Sequence, residues 1–127
     1  MGAGKSHTIN KLQKLNRFPL SAFVSVDPDE IRRELPEYDL YIKTKPLQAG
    51  ELTRKEAGYI AELIILAALK KGKNVLVDGS LRDHKWYSSY FSNLREEYSG
   101  LRIAILHITA SRDLVFKRAK VRKMDKN

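Results

Sequence analysis

Three short apolar runs punctuate this chain, with helix-patterned sequence around and between them. They are SAFVSV (Ser21–Val26), KNVLVDGS (Lys73–Ser80) and LRIAILHIT (Leu101–Thr109). Such alternation constrains the fold to an α/β class with a mainly parallel sheet, because parallel neighbours must be joined by a crossover that is usually helical. The run Val75–Val77 is apolar at every position, which predicts a strand covered on both faces.

The segments between these runs carry helix signals. A first helix is expected over Lys5–Asn16, with Ile9, Leu12 and Leu15 near one face. Asp27 and Pro28 read as the N-cap and first residue of a second helix, DPDEIRREL, which Pro36 stops. From Glu37 to Leu52 no period is visible, and the stretch reads as a substrate-facing or mobile loop. Thr53 and Glu56 have capping-box spacing at the start of a strong helix that Gly72 closes. Its buried stripe is expected at Ala57, Ile60, Ala61, Ile64 and Ala68. Another helix is expected over Asp83–Tyr98, where Trp86, Tyr87, Tyr90 and Phe91 read as core, as does His107 in the third apolar run. Ser111 reads as the N-cap of the last helix.

Composition excludes several classes. At 127 residues one domain is expected. With no cysteine, neither disulfides nor thiolate metal sites can form. The longest apolar run, Leu63–Leu69, is too short to span a bilayer, and no signal peptide opens the chain, so a soluble cytoplasmic protein is expected. The formal charge of +9 suits a polyanionic partner, whether nucleic acid or nucleotide, and does not choose between them.

The opening MGAGKSHT bears on the choice, although such a short string can also arise by chance at a glycine-rich start. Gly4, Lys5 and Ser6 match the end of G-x-x-x-x-G-K-[ST], a loop whose backbone N–H groups cradle phosphates. Its lysine reaches the β- and γ-phosphates, its hydroxyl ligates Mg²⁺, and the following helix adds its N-terminal dipole. The first glycine of the pattern and the strand that feeds it would both precede Met1. The expectation is therefore a P-loop NTPase-like three-layer sandwich, a single partial domain over residues 1–127 that is incomplete at both ends.

Phosphoryl transfer needs a phosphate cradle, metal ligands, a base and cations. Asp27 and Asp29 follow the first apolar run, where a carboxylate can accept a proton from a substrate hydroxyl or simply cap the helix. Asp78 ends NVLVD as a candidate Mg²⁺ carboxylate, and Ser80 and Arg82 share its loop. Arg82 reads either as a phosphate clamp or as a solvated loop arginine. Glu62 is the only charge between Tyr59 and Leu69, which fits a grip on substrate hydroxyls or a solvated face. Arg118 and Arg122 lie one turn apart on the last helix, for the ATP phosphates or for solvent. His7, His84 and His107 share no metal-ligand spacing.

The chain resembles the zeta-toxin family of P-loop kinases through GAGKSH, VDPDEIRRELPEY, the helix bearing Glu62, GKNVLVDGSLRD and VFKRAKVR, in that order. Zeta toxins phosphorylate a hydroxyl of UDP-N-acetylglucosamine with ATP and Mg²⁺. The resemblance implies that Gly2, Ala3, Gly4, Lys5, Ser6 and His7 line the ATP phosphates, with Ser6 and Asp78 toward the metal. It implies Asp29 as catalytic base and Lys5 and Arg118 as catalytic cations, with Arg122 also on the ATP side. Asp27, Glu62, Ser80 and Arg82 would meet the acceptor. Ser80 stands where the family has threonine, and a second phosphate arginine would lie beyond Asn127. On this reading the partners are ATP, a hydroxyl-bearing small molecule and an antitoxin-like inhibitor, and the incomplete loop impairs catalysis by this piece alone. The rival is a basic, non-catalytic nucleic-acid-binding or interaction module, against which stands the lack of any recognised RNA-binding motif.

Overall fold

The computed structural model describes residues 3–124, with side chains through Val121. Its elements run α1 (Lys5–Lys14), a 3₁₀ turn (Leu20–Ala22), β1 (Phe23–Val26), α2 (Pro28–Glu34), α3 (Pro36–Thr44), α4 (Ala49–Leu52), α5 (Arg54–Lys70), β2 (Asn74–Val77), α6 (His84–Glu97) and α7 (Arg112–Met124). They fall into two compact units. One spans Ser21–Arg82; the other joins the segment that ends at Leu20 to the segment that begins at Asp83.

The Ser21–Arg82 unit is built on a parallel pair. β1 and β2 align Phe23 with Asn74, Val24 with Val75, Ser25 with Leu76 and Val26 with Val77. Val24 and Val26 point the same way along β1, since side chains alternate along a strand, and Val26 is 2% exposed. Val26 meets Ala61 and Ile65 of α5 in a core joined by Val24, Ile31, Ile64, Leu69 and Val75. The buried stripe of α5 is Ala57, Ala61, Ile65 and Ala68, at helical spacing. Three of these four are alanines, which allow the α5 backbone to lie close to its neighbours. The expected helix is therefore present, with Ile65 buried on the stripe in place of Ile60 and Ile64, which are half-buried.

Several local expectations change. The segment Glu37–Leu52 is not an irregular loop, because α3 and α4 occupy most of it. Pro36 ends α2 as expected but also starts α3, at a first-turn position where its missing N–H costs nothing. Leu35, at φ −68 and ψ 130, makes the corner, as a residue before proline tends to. Thr53 makes no side-chain cap for α5. Its hydroxyl instead donates to the Ala49 carbonyl at 2.7 Å. The backbone runs on from α4 into α5, with Thr53 N–H on Ala49 and Ala57 N–H on Thr53, so few N–H groups there need a cap.

A further change lies in the other unit. Residues 101–110 form no strand among the described residues. A strand exists through its hydrogen-bonded neighbour, and no described residue pairs with this segment in a ladder. Ile105 and Leu106 are more than half exposed, and His107 is exposed rather than core. The α6 aromatics are a half-exposed stack and not a buried core. Trp86 lies face to face with Tyr90 at 4.7 Å and edge-on to Tyr87 at 4.8 Å. The expected cap of α7 forms in this unit, Ser111 Oγ accepting from Leu114 N–H at 3.4 Å. Asp83 also caps α6, accepting from Trp86 N–H at 3.1 Å. The α/β character is thus present, with helices outweighing a two-stranded parallel sheet.

Candidate functional site

The glycine-lysine-serine triplet sits at the start of α1. Gly4 is the N-cap, in the left-handed region at φ 90 and ψ 31. That conformation is open to glycine and strained for other residues. No side chain caps α1 and no acidic residue occupies its first turn. The first N–H groups of a helix lack intrahelical acceptors, so this end offers donors and a partial positive charge to an anion. Lys5 is half-buried and held by interactions, while the Ser6 hydroxyl and His7 lie at the exposed end of the helix.

Arg118 of α7 comes to the same place. Its Nη1 lies 3.2 Å from the position that a Cβ on Gly4 would occupy. The missing side chain at Gly4 therefore does two things. It permits the turn, and it lets a guanidinium approach the backbone of the loop. Arg118 and the loop are far apart in sequence, and the fold joins them within one unit. Gly2 lies outside the described residues, as does the side chain of Arg122.

A second group forms in the Ser21–Arg82 unit, at the C-terminal ends of the parallel strands. Val26 and Val77 are paired, so Asp27 and Asp78 leave the sheet side by side. Asp78 N–H donates to the Val26 carbonyl at 2.9 Å, carrying the ladder one residue beyond β2. Open α/β sheets bind ligands at this end. Asp27 is occupied as a cap, its Oδ1 accepting from Asp29 N–H at 2.8 Å. Asp29 points elsewhere: its Oδ1 lies 2.9 Å from Arg32 Nη1, and its side chain is 56% exposed. Of the two carboxylates, Asp29 is the more exposed.

The remaining predicted residues are more loosely placed. Ser80 and Arg82 are exposed on the segment after β2, where Leu81 has a positive φ of 49. Glu62 is half-buried on α5 and holds no ion pair among the described residues. A shallow cleft lined by Glu30, Ile31, Arg33 and Glu34 includes none of the predicted site residues. Arg32 went unselected at the sequence level, although its i+3 spacing from Asp29 on a helix signals an ion pair.

Among the described residues, no three His, Asp or Glu side chains gather into a metal site. The Ser6 hydroxyl in one unit and the Asp78 carboxylate in the other are each hard oxygens, the donor type that Mg²⁺ takes. Among the described residues, no helix is long and apolar enough to cross a membrane.

Comparison with known proteins agrees with the loop. The family model described as Zeta toxin matches residues 1–127, the whole chain, and the chain belongs to that family. Membership carries the theme of a P-loop, kinase-like, nucleotide-binding protein. No curated protein and no solved structure matches the chain.

Proposed function

Taking zeta-toxin membership as premise, we propose that this chain is built for ATP-dependent phosphoryl transfer to a hydroxyl of a small molecule, with a nucleotide sugar as the acceptor. The observation that carries the proposal is the start of α1, an uncapped helix N-terminus with left-handed Gly4 and the Arg118 guanidinium beside it. Backbone N–H groups and the Arg118 guanidinium meet there, and Lys5 is the first residue of the helix. Such a place binds an anion bearing several negative oxygens, as a triphosphate does.

In the mechanism, each residue has one task. The N–H groups at the start of α1 and Lys5 hold and orient the phosphates. Arg118 offsets charge that builds on the transferred group, the kind of stabilisation that dominates phosphoryl transfer. Ser6 would offer its hydroxyl to Mg²⁺, which supplies further neutralisation of phosphate charge when bound, and the Asp78 carboxylate is a donor of the same hard-oxygen type. Asp29 accepts the proton of the acceptor hydroxyl. Glu62, Ser80 and Arg82 position the acceptor, with Arg82 matched to a phosphate and Glu62 to hydroxyls. Asp27 acts from behind, fixing the turn from which Asp29 projects.

The test is transfer of γ-labelled phosphate from ATP to a panel of hydroxyl acceptors, nucleotide sugars first. The reading expects labelled product that depends on Lys5 and Asp29. ATP-dependent labelling of no acceptor by a folded chain that also fails to bind ATP would overturn it.

A further inference from the structure

We propose that Arg32, lodged beside α4, is a positioning residue for the Asp29 carboxylate, and that it fixes where the acceptor hydroxyl is deprotonated. The inference rests on the phosphotransferase reading and adds to it a residue outside the predicted site.

Three observations carry it. Arg32 Nη1 lies 2.9 Å from Asp29 Oδ1, and the arginine side chain is only 21% exposed against 56% for the aspartate. The inner partner is therefore the cation, and the carboxylate is the group presented outward. Next, Arg32 Nε is buried and has no hydrogen-bond partner among the described residues. Burying an unpaired donor costs free energy, so the guanidinium occupies this place at a cost to folding. Last, Nη1 also lies 3.8 Å from the position of a Cβ on Gly50 in α4. A small residue at this position leaves the guanidinium room beside α4.

The geometry gives the carboxylate what a base needs. A side chain on a short, seven-residue helix is free to choose among rotamers. Arg32 takes Oδ1 and limits that choice, while the carboxylate stays more than half exposed, so Oδ2 can accept from a hydroxyl. In the transfer, the acceptor O–H proton passes to Asp29 as the acceptor oxygen bonds to the γ-phosphorus and the bond to the ADP oxygen breaks. The arginine stays charged throughout and exchanges no proton. Holding the base in register acts on the chemical step, and misplacement of about 1 Å can cost roughly a hundredfold.

The experiment is a double-mutant cycle on the full chain, using Arg32→Gln and Asp29→Asn, read in two ways. In urea unfolding, the pair should show coupling of at least about twofold in the folding equilibrium constant, the size of a good helical ion pair. In single-turnover transfer from ATP, Arg32→Gln should lower the rate about ten- to a hundredfold, leave the ATP dissociation constant within twofold, and add nothing in the Asp29→Asn background. Arg32→Lys should restore part of the rate, since an ammonium can hold one oxygen but lacks the planar fork. Gly50→Leu, which crowds the guanidinium, should lower the rate in the same way, whereas Gly50→Ala should be tolerated. A rate in Arg32→Gln equal to wild type, or equal losses with and without Asp29, would overturn the proposal. So would a cycle with no coupling in unfolding. Absence of transfer by the wild-type chain would instead overturn the phosphotransferase reading, and the unfolding arm would then decide the pairing alone.

Discussion

Replacing Gly4 with alanine isolates the contribution of the α1 cradle. Gly4 has φ 90 and ψ 31, where an L-residue pays about 1–2 kcal/mol. The new Cβ would stand 3.2 Å from Arg118 Nη1 and 4.0 Å from its Cζ, so the guanidinium must give way by a few tenths of an ångström. Without ligand the turn can relax its strain. Binding a triphosphate must restore the turn, so the affinity bears the cost. At 1.4 kcal/mol per tenfold, the strain alone predicts a dissociation constant for Mg-ATP raised about 5- to 30-fold. The displaced arginine adds to this. Calorimetric titration of Mg-ATP into wild type, Gly4→Ala, Arg118→Ala and the double variant separates the two parts. In the Arg118→Ala background, the alanine effect should shrink to strain alone. A Gly4→Ala chain that binds Mg-ATP within twofold of wild type would refute the reasoning, because neither the turn nor the arginine would then matter to the ligand.

Further expectations follow from the same structure. Asp29→Asn should lower phosphoryl transfer by about a hundredfold or more, the usual worth of a general base, with ATP affinity unchanged in calorimetry. Asp27→Ala should instead cost about 1 kcal/mol in urea unfolding, through loss of the cap on Asp29 N–H. Val26→Ala, at 2% exposure against Ala61 and Ile65, should cost about 2 kcal/mol in the same assay. Burial first, and the neighbouring Glu97 carboxylate second, hold the Tyr98 phenol above the usual tyrosine value of 10.0. Because the folded form then keeps its proton longer than the unfolded chain, this group's contribution to stability is complete below pH 10 and is lost as pH rises past it. Glu97→Gln should bring the Tyr98 titration, followed by NMR of its ring, only part of the way down.

Local signals in the sequence were reliable where the structure keeps them local. Asp27–Pro28 reads as a helix start because the cap and the fixed proline φ act within three residues. The alanine stripe of α5 repeats at helical spacing and faces a real core. The α3 segment hid its helix because Leu40 and Ile42 lie on exposed faces, so no amphipathic period marks it. The Thr53–Glu56 spacing suggested a cap that a preceding turn of helix makes unnecessary. Leu101–Thr109 has the composition of a strand, but pairing is a non-local property that composition does not carry. The site divides the same way. Gly4, Lys5 and Ser6 are adjacent and legible as a motif, whereas the approach of Arg118 to Gly4 is a product of tertiary folding. Arg32 was within reach of a simple i+3 reading from Asp29, and only its burial and its closeness to Gly50 mark it out.

We propose that the start of α1 and Arg118 together form a triphosphate site. Mg-ATP titration into the folded wild-type chain, with Lys5→Ala as control, tests it most directly. Saturable binding at one site is expected, weakened at least about tenfold by Lys5→Ala and unmoved by Asp29→Asn. No saturable binding of Mg-ATP, together with RNA retention that falls steeply with salt, would contradict it and would favour a basic binding module.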